Sequence, residues 1–231
     1  MGILMETYGQ FCPIALASET LTQKWVLLIV RELNAGATRF NVIRRGLPRI
    51  SATLLKQRLD LLEQCGIVAS RSRNARDRDY LLTDAGRELK DVLTAVGTWG
   101  QRWARAIRDD DLDPDWLVWA MHRRFDTPRL PAKRIVIEIE FTDSRPKRRR
   151  FWFLCEQREV EVCLKNPGHE IDLAVVTPVR LLAEVWRGLR PLRAEIASGR
   201  MRLNGNPALC KAFPDWLLLS AFAKVERSAS P

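Results

Sequence analysis

The sequence predicts an α+β fold in two domains, and three observations predict it. The chain has 231 residues, 46% hydrophobic and 29% charged, enough to bury two modest cores. Apolar residues recur at three- and four-residue steps through the first hundred positions, whereas beyond the acidic run from Asp109 to Asp113 and its following Pro114 the pattern turns to alternation mixed with helical spacing. The formal net charge of +10 is also unequally shared: residues 1–108 carry 17 basic and 10 acidic side chains (+7), residues 109–231 carry 21 and 18 (+3). The domain boundary is therefore expected between residues 108 and 109.

In the first half, Ile14, Leu16, Leu21, Trp25, Leu28, Ile29 and Leu33 predict two short helices, or one broken near residues 18–22, with a stop at Gly36. Thr38 can cap a third helix over 38–46, with Phe40, Val42 and Ile43 inward beside Arg39, Arg44 and Arg45; Gly46-Leu47-Pro48 then forces a turn. Ser51 can cap the next helix, which buries Leu54, Leu55, Leu59 and Leu62, shows Thr53, Lys56, Gln57 and Asp60 outward, and stops at Gly66. Residues 67–70 and 80–82 read as short strands around 71–79, a polar stretch rich in turn formers and arginine, hence a basic hairpin tip. Thr83 or Asp84 opens a long helix reaching about residue 108, with Leu89, Val92, Leu93, Val96, Trp99, Trp103 and Ile107 along one stripe.

The second half is mixed α/β. Trp116, Leu117, Trp119 and Ala120 mark a helix over 115–124, followed by a Pro-punctuated loop. Residues 134–141 alternate, with Ile135, Ile137, Ile139 and Phe141 against Arg134, Glu138 and Glu140, as a half-buried strand should. Further strands are expected over 151–154, 159–164, 171–176 and 199–204, and helices over 178–187, 191–197, 208–213 and 216–223.

The chemistry excluded is as informative. Cys12, Cys65, Cys155, Cys163 and Cys210 form an odd, scattered set without a CxxC, and His122 and His169 lie far apart, so neither a disulfide framework nor a zinc site is expected. No nucleophile–base pair, phosphate loop or cofactor motif appears, and no enzyme or cofactor is expected. The longest apolar stretches fall far short of the ~20 residues of a membrane span, and no signal-peptide layout opens the chain, so a cytoplasmic protein with no membrane partner is expected. The basic surplus instead favours a polyanion.

Helix, helix, turn, basic helix, then an arginine-bearing hairpin is the order of a winged helix-turn-helix, in which one helix enters the major groove and the hairpin reaches phosphates or the minor groove. The residues carry a more specific likeness: Cys12-Pro13-Ile14, the run from Lys24 to Leu33, the run from Arg39 to Ser51, the run from Leu54 to Leu59, Gly66-Ile67-Val68, and the run from Tyr80 to Gly86. Over residues 10–103 this resembles the HxlR branch of the MarR-like winged-helix regulators. The resemblance implies a homodimeric transcription factor on double-stranded DNA, nucleoid-associated when bound. It also implies a recognition helix starting at Ser51, with Ser51, Thr53, Lys56, Gln57 and Arg58 as candidate contacts; Gln57 suits an adenine edge, Lys56 and Arg58 guanine or phosphate. Arg39, Arg44, Arg45 and Arg49 are expected to clamp the backbone, and Arg71, Arg73, Arg76 and Arg78 to form the wing. Leu89, Val92, Val96, Trp99 and Trp103 would pack a dimer partner, or equally the chain's own core; Cys12 matches a Cys-Pro position at which family members sense oxidants, or is a small packed residue.

From Val176 through Leu209 the second half resembles the sterol-carrier-protein-2 fold, a five-stranded mixed sheet under helices with an apolar tunnel. That implies a cavity for an apolar small-molecule effector, with Trp152, Phe153, Val162, Leu181, Trp186, Leu192, Trp216 and Phe222 as candidate linings, each of which can also be plain core. The basic run from Arg145 to Arg150 is read as a solvated hairpin turn. The alternative to a ligand-modulated regulator is a lipid-binding or lipid-transfer accessory protein whose N-terminal domain mediates protein contacts.

Overall fold

The computed structural model describes residues 7–72, 74, 77–144 and 149–228. The chain divides into two compact units, Met1–Gly97 and Thr98–Pro231. This differs from the composition break at 108/109, and the reason is local. Gln101 is buried in the second unit, its Oε1 accepting from Arg187 Nε and Nη2 (3.0 and 2.8 Å) while its Nε2 donates to the Arg187 carbonyl (3.0 Å).

The first unit contains α1 (Pro13–Leu21), α2 (Val26–Asn34), α3 (Phe40–Arg45), α4 (Ala52–Gln64), the antiparallel hairpin β1 (Val68–Ser72) and β2 (Arg78–Leu82), and the start of α5 (Asp84–Trp103). The break between α1 and α2 falls at Trp25, a non-glycine residue in the left-handed region (φ 82°). The apolar periodicity delivers Ile29, Ile43, Leu47, Leu55, Leu59, Leu62 and Tyr80 to one core.

Three local details depart from expectation. Thr38 does not cap α3: its hydroxyl turns to the Asp79 carboxylate (3.5 Å), its carbonyl accepts from Tyr80 N–H (2.7 Å) and ties the hairpin root to the α3 approach, and Arg39 stands at the cap with no side-chain bond. Both strands extend into the stretch read as a hairpin tip, so Arg71 and Arg78 lie on the ladder, opposite Asp79 and Ser72. The long helix ends at Trp103, short of residue 108.

The second unit carries α6 (Pro114–His122), a mixed sheet of β3 (Ile135–Phe141), β4 (Arg150–Glu156), β5 (Glu159–Cys163), β6 (Leu173–Thr177) and β7 (Arg202–Gly205), and helices α7 (Val179–Trp186), α8 (Leu192–Ala197) and α9 (Pro207–Trp216). The strand order is β5-β4-β3-β6-β7, with β3 and β6 parallel and the other neighbours antiparallel. One face gathers Ile135, Ile137, Ile139 and Phe141 with their partners Cys155, Phe153, Phe151, Leu173 and Val175. Phe125 packs edge-on against Phe153 (5.2 Å between centroids) and Phe141 against Phe151 (5.8 Å).

The expectation of a half-buried β3 fails on the other face, where Val136 and Glu138 are also buried. The expected terminal helix over 216–223 is absent too. Leu217 is drawn into a β-bridge with Phe125, Leu218 N–H donates to the Arg124 carbonyl (2.7 Å), and a single helix, α9, ends at Trp216.

Candidate nucleic-acid interface

Helix α4 is capped at its start and presents one polar face. Ser51 caps it, its Oγ accepting from Leu54 N–H (3.2 Å). Leu55, Leu59 and Leu62 anchor the inner face, leaving Ser51, Thr53, Lys56 and Gln57 exposed on the outer one. The turn leading into α4 is fixed from below: the buried Glu32 carboxylate accepts from Arg31 Nε and Nη2 (3.1 and 2.8 Å), and Arg31 Nη2 also reaches the Gly46 carbonyl (3.2 Å). A side chain at Gly46 would run into that carboxylate and force it off its Arg31 partner.

On the other side of α4 the hairpin is held at both ends. At its root, Tyr80 and Thr38 bond as described and the Arg39 backbone forms a β-bridge with Asp79. At its tip, Asp77 N–H donates to Asn74 Oδ1 (2.9 Å) and Asn74 Nδ2 to Asp77 Oδ2 (3.2 Å). Between α3, α4 and the hairpin lies a groove of about 730 Å³ whose lining includes Arg39, Asn41, Lys56, Ser72, Arg78 and Tyr80. Burial raises the Tyr80 phenol pKa above its ordinary value, so it stays a neutral wall of that groove.

The candidate contacts divide by commitment. Arg39, Arg44, Arg71 and Arg78 are exposed and have no side-chain partner among the described residues. Lys56 pairs with Asp60 one turn on, an exposed ion pair that holds the ammonium only weakly. Arg45 and Arg49 each make an interaction within the chain. Arg58 is half-buried, and its Nε donates to the Lys24 carbonyl (3.1 Å), an exposed bond that ties α4 to the α1–α2 turn. Arg73 and Arg76 lie outside the described residues, as does most of the run from Arg145 to Arg150. Asn74, Thr38 and the Arg31–Glu32–Gly46 contact were not among the sequence candidates; only the Asn74–Asp77 spacing, a turn-former pair, signals its role locally.

Along α5 the stripe splits. Leu89 packs against the first unit's core with Leu93, whereas Val92, Val96, Trp99 and Trp103 are exposed, as are Phe11, Ile14 and Leu16 at and before α1. Leu89 is thus a core residue, because it sits one helical turn from Leu93 on the inward side. Cys12 is exposed at the α1 N-terminus, where the backbone N–H of Ala15, and then of Ile14, hold its thiol pKa below the ordinary value, though neither makes a hydrogen bond of normal capping geometry.

In the second unit Trp152, Phe153, Val162, Leu181, Trp186, Leu192 and Trp216 are buried and Phe222 is half-buried. They do not line one space, since Trp152 and Phe153 are neighbours on an extended strand and point to opposite faces of the sheet. Among the described residues no cluster of three or more metal-ligating side chains occurs, and no helix is long and apolar enough to cross a membrane.

Comparison with known proteins places this geometry. The family model for the HxlR-like helix-turn-helix matches residues 20–108. The uncharacterized HTH-type transcriptional regulator YvaP of Bacillus subtilis (strain 168) is 32% identical over 115 residues, 47% of this chain and 96% of that one. Another uncharacterized HTH-type transcriptional regulator, sll1512 of Synechocystis sp., is 35% identical over 41% of this chain and 72% of its own. A solved structure, the redox regulator HypR in its oxidized form, aligns at 27% identity and a TM-score of 0.38 over 42% of this chain and 100% of that one. With a relative matched across nearly its whole length and the family pattern running from the end of α1 to beyond α5, the chain belongs to the HxlR-like helix-turn-helix family.

Proposed function

We propose that the protein is a homodimeric, sequence-specific DNA-binding transcriptional regulator whose second unit takes up an apolar small molecule. The observation that carries the DNA reading is the exposed α4 face beside four arginines with no side-chain partner among the described residues. Thr53 and Gln57 sit where base edges are read in a major groove, while Arg39 and Arg78 flank the groove between α4 and the hairpin. The names of the relatives, HTH-type transcriptional regulators, point the same way.

Pairing is supported by the exposed Phe11, Ile14, Val96 and Trp99, more large apolar side chains than a lone surface needs to show. The sterol-carrier-protein-2-like reading of the second unit is supported by its five-stranded mixed sheet with helices α7 and α8 following β6. An exposed Cys12 with a lowered thiol pKa supports a separate response to oxidants.

The test is a mobility-shift titration on the DNA upstream of the chain's own coding sequence. A specific, salt-sensitive complex that Gln57→Ala weakens on that fragment but not on random DNA is expected. Equal affinity for both DNAs, unchanged by Gln57→Ala, would overturn the reading.

A further inference from the structure

Helix α5 is a single helix shared by two units, and its sequence is weakest where the units divide. The division falls after Gly97; Gly97 and Gly100 both lie inside the helix, and residues 98–103 belong to the second unit. A glycine in a helix interior weakens it about fivefold against alanine, because the unfolded chain is freer. Packing does not call for the second of them, since a Cβ at Gly100 would meet nothing within 4 Å and its backbone is not left-handed. The last turn of α5 is therefore held helical by something other than its own propensity.

Bonds from residues far along the chain hold it. Gln101 is buried, and its Oε1 accepts from Arg187 Nε and Nη2 (3.0 and 2.8 Å) while its Nε2 donates to the Arg187 carbonyl (3.0 Å). Arg227 Nη2 donates to the Ala104 carbonyl (2.5 Å), and Ser228 N–H to the Arg102 carbonyl (3.1 Å). A helix leaves its final carbonyls without partners of its own, and cations favour that end, so these groups form a C-terminal cap supplied from 86 and 123 positions away. Neither arginine has an acid partner among the described residues. Burial, and then the charge of Arg227, lower the Arg187 pKa, so the clamp holds two mutually repelling cations at one helix end. Gln101 stands two positions from both Trp99 and Trp103, on the opposite side of the helix. Those tryptophans are exposed in line with Val92 and Val96, at four-, three- and four-residue steps.

We propose that this clamp controls the pairing of two copies. With Arg187 and Arg227 in place the last turn stays helical, and Trp99 and Trp103 continue the stripe of Val92 and Val96. With the clamp released the turn unwinds over residues 97–100, and the stripe loses its two largest side chains. Because Arg187 ends α7, the second unit thereby sets the strength of pairing. The inference rests on the pairing reading above and adds its control.

Sedimentation equilibrium of the full chain reads pairing directly. Arg187→Ala should weaken self-association about tenfold, the worth of the bonds lost at Gln101, and Arg227→Ala about threefold. Gly100→Ala, whose methyl touches no neighbour, should tighten pairing by up to about fivefold and restore the Arg187→Ala chain to within about threefold of the unaltered one. That rescue separates control of the helix from loss of a contact, because Gly100→Ala returns none of the bonds that Arg187 made. Where Arg187→Ala fails to fold, Arg227→Ala with and without Gly100→Ala gives the same comparison. A chain that stays monomeric would overturn the pairing reading and this inference together. A dimer that both arginine variants leave as strong as before, or that Gly100→Ala fails to restore, would overturn this inference alone.

Discussion

Both units pair some arginines with carboxylates, Arg31 with Glu32 and Arg87 with Asp84 in the first, and they differ in where they leave others unpaired. In the second, Arg105 is paired with Asp111, Arg149 with Glu140, Arg180 with Asp109, Arg190 with Glu184, Arg193 with Asp215 and Arg200 with the buried Glu195. In the first, Arg39, Arg44, Arg71 and Arg78 meet no carboxylate among the described residues, although Asp77 and Asp79 are near in sequence. Arg102, Arg134, Arg158 in a left-handed turn and Arg202 on an edge strand also have no ion pair among the described residues of the second unit, but none of them lines the groove beside α4. The proposed interface therefore rests less on net charge than on the cations that the fold leaves uncommitted beside α4.

Charge reversal should break the contrast most visibly. Arg39→Glu with Arg78→Glu is expected to lower DNA affinity at least about a hundredfold in anisotropy titrations, since each phosphate contact is both lost and replaced by repulsion. Next in size is the support beneath α4: Gly46→Ala forces its methyl into the Glu32 carboxylate and should cost about 1–3 kcal/mol in urea unfolding, whereas Gly36→Ala, where a side chain meets open space but the φ is +89°, should cost only backbone strain. Ser51→Ala removes the α4 cap and should cost about 1 kcal/mol by the same measurement. Arg193→Ala, by contrast, breaks an exposed pair with Asp215 and should change stability by less than about 1 kcal/mol and leave DNA affinity untouched.

The thiols sharpen the same comparison between exposed and committed groups. Cys12, exposed and with a lowered pKa, should be alkylated by iodoacetamide with a half-maximal rate below pH 9.0, because the thiolate persists as pH falls. Cys155, whose pKa burial pushes up to about 12, should stay unlabelled in the folded chain between about pH 6 and 9 and react only on unfolding, as peptide mapping would show.

The parts of this structure legible in the sequence are those set by neighbours in the chain. Ser51 before an apolar run reads as a cap, and it is one; Leu55, Leu59 and Leu62 at helical spacing read as core, and are. What was not legible depends on residues brought together from afar. The carbonyl of Lys24 that engages Arg58 is 34 positions away, and the carboxylate that draws the Thr38 hydroxyl from its expected capping role belongs to Asp79. Phe125 converts the expected terminal helix into extended backbone at Leu217. Glu138 shows the limit best: alternation assigns it to a wet face, yet that face is buried, and no pattern within β3 indicates so. The opposite orientation of Trp152 and Phe153, in contrast, follows from strand geometry and could have been read from adjacency alone.

The central claim is that the uncommitted arginines of the first unit, and not the basic surplus as a whole, contact nucleic acid. It is tested most directly by the salt dependence of binding to the upstream DNA fragment. Replacing Arg39 and Arg78 by alanine should reduce the slope of log affinity against log salt by about 2, while replacing Arg180 and Arg193 should leave it unchanged. Equal reductions from both pairs, or none from the first, would contradict the account.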